Sequence, residues 1–335
     1  MEAGMVNIVT VVKYKVKDGY EDAFVAAIND YDYSNSNFMR LIALEDNQYV
    51  STQAANRWKG MRIMSTQAKN QCNKAFSTRT TLIADFKRLG LQDGDGVFVH
   101  ASMKGIGRVV GGARAVVSAI IETVGEKGLV AMPGFSNDAY MPAWFDANES
   151  SQATFKRIQD AVPGHNAALT PCLEMGLIAE TFRNWPGTYR SSHPCVSVTA
   201  RGPESASFIK EHSLAWACGP DTPLGKFRTR PRMKIMLLGV DWTRCSALHT
   251  AETLVAARRT KRRIFKHVDA WHETDDVADD NGRLFPEVGM RFTQSHDVQR
   301  NLIGQATTLL FSFAQLVDFA ANEFETLLEG TGATP

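Results

Sequence analysis

Between residues 97 and 132 a strand, a glycine-rich loop, a helix and a second strand follow one another, and this order constrains the fold more than any other feature of the chain. Val97 to His100 predicts a buried strand, and the loop runs from Lys104 to Gly112. Apolar residues then recur at helical spacing from Ala113 to Val124, and Leu129 to Met132 predicts the next strand. Because a β-loop-α-β unit is the building block of an α/β sheet, we expect an α/β domain.

Weaker patterns surround this unit. Thr81 to Leu89 predicts an amphipathic helix, and Lys234 to Val240 predicts a strand that leads into a helix from about Ser246 to Ala257. Gln305 to Leu328 predicts a strongly apolar helix. Residues 133–230 show few regular patterns, and connections of that extent are usually functional.

Composition and charge exclude several classes of protein. The chain has 335 residues, of which 44% are hydrophobic and 22% are charged, and this excludes a disordered chain. A formal net charge of +1 gives no support to general nucleic-acid binding, and no apolar run approaches the roughly 18 residues of a membrane span. The first residues lack the basic start of a signal peptide, and the five cysteines contain no CxxC pair. We therefore expect a cytoplasmic protein with no membrane partner, no disulfide framework and no metal site.

The first 77 residues differ from the remainder and predict an α+β N-terminal extension. Val6 to Val16 predicts a strand, Tyr20 to Ile28 a short helix, and Met39 to Ala43 and Gln48 to Thr52 two further strands. This order resembles part of the ferredoxin-like modules of antibiotic-biosynthesis monooxygenases. The alternative, which we favour, is an extension that packs on the main domain or mediates a homodimer. In either case we expect the main domain to cover residues 78–335.

The glycine-rich loop is a candidate anion site. It joins a strand to a helix, and the free N–H groups of a helix start, together with the helix dipole, favour a negative charge. Gly111 and Gly112 allow a ligand to approach the backbone, and Lys104 and Arg108 add positive charge. The segment Arg108-Val-Val-Gly-Gly-Ala113 fits the R-x-x-G-x-A string with which many acetyltransferases bind the pyrophosphate of coenzyme A. The alternative is an ordinary glycine-rich turn, since such short strings recur by chance.

A histidine in the first turn of a predicted helix is a candidate general base. With Ser246 as the N-cap, His249 takes the third helical position, where the positive end of the helix dipole disfavours the imidazolium. A neutral imidazole is the form that a general base requires. Glu252 follows three residues later on the same helix face and is placed to orient the ring. The alternative is a buried histidine that is hydrogen-bonded to the backbone.

Short motifs in a fixed order connect these segments. They are Gly94-Asp95 with Val97 to Met103, Gly107 with Val109 to Gly112, Met132-Pro133 with Phe135-Ser136, Met175-Gly176 with Ala179-Glu180 and Phe182-Arg183, Arg190 to Pro194 with Ser197, Thr222 to Gly225, Leu237 to Val240, and Ala247 to Glu252. The ordered set, over roughly residues 79–325, resembles the aminoglycoside 3-N-acetyltransferase family, the antibiotic N-acetyltransferases that use acetyl-CoA. The resemblance implies a layered α/β/α domain with a central mixed sheet. It also implies direct transfer of an acetyl group from the thioester to an amine, without an acyl-enzyme.

The resemblance further implies roles for individual residues. His249 matches the general base of the family, Glu252 its neighbour on the helix, and Asp138 an acidic position in the substrate cleft. The positions in the coenzyme loop are Ser102, Met103, Lys104, Arg108, Val110, Gly111 and Gly112, and those in a second segment along the coenzyme groove are Arg190, Ser191, His193 and Ser197. Acetyl-CoA is the implied co-substrate, and no metal is implied.

Two charged runs bear on the acceptor. A site for an aminoglycoside, which is a polycation, requires clustered carboxylates. The basic run from Arg258 to Arg263, with Lys266, follows the candidate catalytic helix and is expected to be a solvated helix face. The acidic residues either supply the carboxylates or form an exposed loop; they are Glu273, Asp275, Asp276, Asp279 and Asp280.

Three functions remain open on the sequence. The first is acetylation of the 3-amino group of an aminoglycoside. The second keeps the chemistry but uses a smaller or anionic amine in a biosynthetic reaction, which the basic run favours and the acidic run opposes. The third is a binding protein without turnover, and the presence of both His249 and Glu252 argues against it because a binding protein requires neither.

Overall fold

The computed structural model describes residues 8–13, 25–29, 76–256, 258–278 and 282–329. The chain divides into two compact units, Met1–Lys74 and Ala75–Pro335. In the smaller unit β1 (Ile8–Lys13) pairs antiparallel with β2 (Val25–Asn29). The helix predicted over Tyr20 to Ile28 is therefore wrong from Val25 onwards, since periodicity alone does not separate a short apolar strand from a short helix. The strands predicted at 39–43 and 48–52 lie outside the described residues.

The described part of the larger unit contains one seven-stranded sheet. In chain order its strands are β3 (Gly96–Ala101), β4 (Leu129–Pro133), β5 (Tyr189–Arg190), β6 (Val198–Arg201), β7 (Met233–Leu238), and then, after a separate hairpin of β8 (Thr260–His267) and β9 (Ala270–Val277), β10 (Gln299–Ile303) and β11 (Ala306–Ser312). The order across the sheet is β10-β11-β7-β3-β4-β6-β5. Strand β3 runs parallel to both β4 and β7, whereas the remaining pairs are antiparallel. The predicted mixed sheet is confirmed.

Helices cover both faces of this sheet. In chain order they are α1 (Arg79–Leu89), α2 (Met103–Ile106), α3 (Gly112–Val124), α4 (Gln152–Ala161), α5 (Leu177–Arg183), α6 (Ser205–Ile209), α7 (Pro223–Thr229), α8 (Ala247–Leu254), α9 (Phe285–Ser295) and α10 (Phe313–Glu329). Side chains alternate along β3, so that Val97 and Val99 pack with α1 and α3 on one face. Phe98 packs on the other face with α7, α8 and α10. The two cores confirm the predicted α/β/α layering.

The helices beside the first strand form where the sequence pattern places them. The apolar stripe of α3 is fully buried at Val116, Val117 and Ile120. Helix α1 begins with a capping box at Thr78, and it ends at Gly90, whose φ of 102° is a left-handed conformation that glycine adopts at little cost. The glycine-rich loop contains the short helix α2, which the sequence did not predict.

Three further predictions differ from the structure. The helix predicted to Ala257 ends at Leu254. The helix predicted over Gln305 to Leu328 is wrong in its first part, which forms the strand β11. This strand lies between β10 and β7 in the sheet, and α10 begins directly after it. The stretch 133–230 holds four short α-helices, one 3-10 helix (Leu173–Met175) and two short strands that pair at the sheet edge.

Most described residues of the two charged runs lie in the β8–β9 hairpin: the basic run enters β8 at Thr260, and Glu273, Asp275 and Asp276 belong to β9. The helix face predicted for the basic run is therefore wrong. Arg262 Nε lies 3.1 Å from Glu273 Oε1, and Arg263 Nε lies 2.5 Å from Asp276 Oδ2. Asp276 is buried. Arg262 and Arg263 are therefore paired with carboxylates across the hairpin. Asp279 and Asp280 lie outside the described residues.

No helix in the described ranges combines the length and the apolar character that a membrane span requires.

Candidate active site

The coenzyme loop and the loop before α8 meet at the carboxyl ends of β3 and β7. These strands are paired in register from Gly96 to Ala101, and Ser102 N–H then donates to Leu238 O at 2.9 Å. A Cβ placed on Gly105 would lie 2.8 Å from Gly239 O, which shows that the two loops are in backbone contact. The carboxyl ends of parallel strands are where α/β sheets bind ligands. Two segments that are distant in sequence therefore form one site.

Helix α8 presents His249 on its outward side. Ala247, Leu248 and Ala251 are buried against the sheet, whereas His249 and Glu252 are only partly covered. His249 N–H donates to Ser246 O at 3.1 Å, in agreement with the predicted third helical position. Ser246 stands at the N-cap, but its side chain makes no capping hydrogen bond.

The ring of His249 is oriented by Glu252. His249 Nδ1 lies 2.7 Å from Glu252 Oε2, and the two side chains are 19% and 20% exposed. An ionised carboxylate only accepts hydrogen bonds, so Nδ1 carries the proton and the neutral ring presents an unprotonated Nε2. Phe285 contacts the ring edge to face, with centroids 4.8 Å apart. The pair has the geometry of an oriented general base.

His100 is a neighbour that the sequence did not single out. It lies at the end of β3, on the same sheet face as Phe98 and therefore on the side of α8. Burial, and secondarily the charge of His249, lowers the pKa of His100 to about 3. His100 is consequently neutral at physiological pH, and its Nε2 is buried without a hydrogen-bond partner. A single histidine in a strand gives no sequence signal, because its surroundings come from other segments.

The coenzyme loop leads into an open helix start. Gly111 is the N-cap of α3 in a left-handed conformation, with no side-chain cap and no acidic residue in the first turn. Gly112 has a φ of 57°, and an added Cβ would meet no atom within 4 Å. The N–H of Gly112 donates to Val109 O at 3.0 Å, and the open space beside Gly112 lets a ligand approach the start of α3, where anions bind favourably.

The other predicted loop residues surround this helix start. Ser102 Oγ accepts from Gly105 N–H at 3.1 Å and caps α2, and Met103 packs on the core. Lys104, Arg108 and Val110 are exposed. The two cations leave the region positive.

The second predicted segment is held largely within the protein. Arg190 Nε donates to Ser197 Oγ at 2.8 Å, and its Nη2 donates to Gly134 O at 2.6 Å. Ser197 is buried and donates to the same carbonyl. Burial lowers the pKa of Arg190 to about 10, so the side chain remains a cation. It ties the end of β4 to β5 and β6.

Ser191 and His193 are also buried and hydrogen-bonded inside the protein. Ser191 Oγ donates to His212 Nδ1 at 2.8 Å, since His212 Nε2 lies 2.8 Å from Ala217 O and carries the proton. His193 Nδ1 accepts from Cys195 N–H and Val196 N–H. Burial lowers the pKa of both His193 and His212. Contact of this segment with the coenzyme stays a prediction, and its buried side chains shape the turn.

Asp138 lies in the loop that follows β4, at the same edge of the sheet as the coenzyme loop. Its side chain is exposed, and its carboxylate acts on the charge of Arg190. The adjacent Asn137 Nδ2 donates to Glu174 Oε2 at 2.6 Å and joins this loop to the segment before α5. A carboxylate is therefore present in the loop that follows β4.

Comparison with known proteins places the chain in a family. The family model for aminoglycoside 3-N-acetyltransferase matches residues 98–325. The SPbeta prophage-derived aminoglycoside N(3')-acetyltransferase-like protein YokD of Bacillus subtilis (strain 168) is 33% identical over 252 residues, which are 74% of this chain and 92% of that protein. Aminoglycoside N(3)-acetyltransferase IX of Micromonospora chalcea is 27% identical over 75% of this chain and 95% of its own length.

A solved structure supports the same assignment. The binary structure of AAC-IIIb with CoASH has a TM-score of 0.67 and 27% identity, and the match covers 78% of this chain and 99% of that one. The fold, the family model and the relatives therefore agree. The chain belongs to the aminoglycoside 3-N-acetyltransferase family, and it is an acyltransferase.

Proposed function

We propose that this protein transfers the acetyl group of acetyl-CoA to the 3-amino group of an aminoglycoside. The observation that carries the proposal is the pair formed by His249 and Glu252 beside an open helix start at the carboxyl edge of the sheet. The names of the relatives and the CoASH complex of a similar structure support the two substrates.

His249 acts as the general base in this proposal. An amine attacks a thioester carbonyl only through a free lone pair, so the ammonium must lose its protons before and during the attack. Nε2 of His249 accepts the proton that the nitrogen loses as the N–C bond forms and the C–S bond breaks. Glu252 holds Nδ1–H and stabilises the imidazolium that results. The thiolate that leaves takes up a proton and departs as CoASH.

The start of α3 fits the pyrophosphate of the coenzyme. The left-handed Gly111 and the uncovered Gly112 allow close approach to the backbone, and Lys104 and Arg108 are near enough in the loop to add attraction. Acetyl-CoA, when bound, supplies the activated acetyl group. The same loop contributes Ser102, Met103 and Val110. The second segment along the proposed coenzyme groove contributes Arg190, Ser191, His193 and Ser197.

Asp138 is the proposed contact for the acceptor. Its carboxylate is exposed in the loop that follows β4, and in this proposal it stabilises an ammonium group of the substrate. The hairpin weakens the case for an anionic acceptor, because Arg262 and Arg263 are paired with carboxylates of the opposite strand. The chain therefore fits the first function better than the second.

A turnover screen tests this function. The protein is incubated with acetyl-CoA and a panel of aminoglycosides, neutral amines and anionic amines, and released thiol is measured. We expect thiol release with aminoglycosides and a product that is acetylated at the 3-amino group. Turnover that is confined to neutral or anionic amines would support the second function. Binding of CoA without turnover of any amine would support the third.

The location of the protein in the cell and its oligomeric state are also proposals. We propose a cytoplasmic enzyme that needs neither nucleic acid nor membrane, and an N-terminal extension over residues 1–77 that mediates a homodimer or packs on residues 78–335. Sedimentation of the full chain measures the oligomeric state.

A further inference from the structure

A cavity to which the proposed reaction assigns no role lies beside the catalytic helix. Its volume is about 140 Å³, which is room for several water molecules or a small ligand. Its walls come from the loop of residues 213–222 before α7, from Thr253 of α8, and from Arg258.

Arg258 supplies the positive charge of this cavity. Its Nη1 donates to Val255 O at 2.8 Å, whereas its Nε is buried and has no hydrogen-bond partner among the residues that the structure describes. A buried polar atom in this state calls for an explanation, and a bound ion or ligand is one. The planar guanidinium has donors spaced to match the oxygens of a carboxylate or a phosphate.

Trp216 holds the guanidinium plane. The guanidinium carbon of Arg258 lies 4.5 Å from the centroid of the Trp216 ring. The φ of Trp216 is 53°, which is rare for a bulky residue, and its N–H donates to Asp275 O of β9 at 2.9 Å. Strained backbone persists where the surrounding structure enforces it, and such residues cluster at ligand clamps. The hairpin and the loop thus clamp the ring against the arginine.

The cavity adjoins the catalytic pair. Thr253 follows His249 by four residues, so both lie on the outward stripe of α8, about 6 Å apart along the helix axis. Arg258 also lines a smaller neighbouring cavity together with Glu252. A group bound to Arg258 is therefore close to the carboxylate that orients the base.

We propose that this cavity binds an oxyanion, either a carboxylate or a phosphate group, through Arg258 and against Trp216. Asp221 stands on the exposed rim, where its charge favours a ligand that carries an amine beside the anion. The oxyanion is either a free ion or part of a small ligand that also carries an amine. The proposal does not depend on acetyl transfer, because binding is measured without turnover.

Direct binding of inorganic phosphate tests the site. Phosphate is titrated into the full chain at constant ionic strength, with calorimetry for affinity and tryptophan fluorescence as a local signal. Arg258→Gln removes the charge, and Arg262→Gln is the matched control, because Arg262 is an arginine of the same hairpin region that is 61% exposed and outside the cavity. We expect Arg258→Gln to weaken phosphate binding by at least about tenfold and Arg262→Gln to leave it unchanged.

Two further variants separate binding from folding. Arg258→Lys keeps the charge but loses the planar donors, and we expect an intermediate affinity. Trp216→Phe is expected to retain binding by calorimetry and to lose the fluorescence change.

The same titration with O-phosphoethanolamine and ethanolamine identifies the source of the oxyanion. Tighter binding of O-phosphoethanolamine than of phosphate indicates a group carried by an amine, and equal affinities indicate a free ion.

The proposal is overturned if phosphate and O-phosphoethanolamine both fail to bind the wild-type chain. It is also overturned if folded Arg258→Gln and Arg258→Lys bind them as the wild type does.

Discussion

One hydrogen bond determines which nitrogen of the His249 ring is available. Because Glu252 accepts from Nδ1 of His249, the lone pair of the neutral ring is on Nε2. The ring is therefore both oriented and set in one tautomer by a residue on the same helix.

His249→Ala is expected to lower kcat by at least about 10²-fold, since general-base catalysis typically contributes 10²–10⁴-fold. The affinity for CoA should stay nearly unchanged, because the residue acts on the amine. His249→Asn should be almost as slow, since an amide cannot take up the proton. Steady-state kinetics and calorimetry of the folded variants measure both effects, with Glu252→Gln showing a smaller loss. Near-normal kcat in His249→Ala would remove His249 from the role of base.

Gly112→Asp is expected to weaken CoA binding by at least about tenfold, because it places a negative charge where the helix start attracts an anion. The matched control is Gly112→Ala, which carries the same backbone strain at a φ of 57° but no charge. Calorimetry with CoA compares the two. Equal affinities for the two variants would exclude this helix start from the pyrophosphate site.

Two different local patterns in the sequence predicted His249 and the glycine-rich loop as candidate site residues. His249 and the glycine loop stand out because a helix start with a histidine, and a strand–loop–helix with glycines, are local patterns. The sequence did not single out His100 or His212, and it indicated Arg258 only as part of the basic run, because the surroundings of these residues arise from contacts across the fold. The buried state of Ser191, His193 and Ser197 likewise depends on neighbours that no local pattern reveals.

Among the secondary-structure elements, the β8–β9 hairpin is the one that the sequence patterns predicted least well. The basic and acidic runs were each interpreted alone, as a solvated helix face and as a loop or carboxylate source. In the structure the hairpin strands are in register from Thr260–Val277 to His267–Ala270, and Arg262 and Arg263 lie against carboxylates of the opposite strand. Helix α3 was predicted well because its apolar stripe is continuous. Strand β11 was missed because an apolar segment that spans a strand and a helix has no internal boundary signal.

A short segment before α1 supports the coenzyme loop. Ser77 N–H donates to Arg108 O at 2.8 Å, and Val110 N–H donates to Ser77 O at 2.9 Å. These bonds hold the loop from its outer side, so the start of the larger unit matters to the site.

A chain that begins at Ala75 is expected to fold and to keep at least partial activity, because it retains Ser77 and the whole larger unit. In the full chain, Ser77→Pro removes the N–H donor and should weaken CoA binding, whereas Ser77→Ala keeps both backbone bonds and serves as the control. Circular dichroism and CoA calorimetry measure these outcomes. An insoluble or inactive chain from Ala75 would show that the first residues are integral to the enzyme.

The whole molecule carries at least four histidines that burial keeps neutral. Burial is the largest cause that lowers the pKa of His100 to about 3, of His165 and His212 to about 4, and of His193 well below its usual value. In the unfolded chain these histidines have a pKa of about 6.5. Between these pH values the unfolded chain binds more protons than the folded one, so stability falls as the pH falls.

We therefore expect the free energy of unfolding to decrease steadily from about pH 7 to pH 5, a window above the titration of most carboxylates. Urea unfolding at several pH values measures the slope. His212→Asn should give a shallower slope, since it removes one of the contributing groups. A flat profile over this window would contradict the burial of the histidines.

The backbone contact between Gly105 and Gly239 has a consequence for redesign. Because a Cβ on Gly105 would press on Gly239 and a Cβ on Gly239 would lie 3.0 Å from Ala306 Cβ, neither position admits a larger residue without moving the loops apart. The close contact of the two loops thus depends on two positions that carry no side chain. A variant library aimed at new acyl donors or acceptors should leave this pair of glycines invariant and place its diversity on the outward-facing residues.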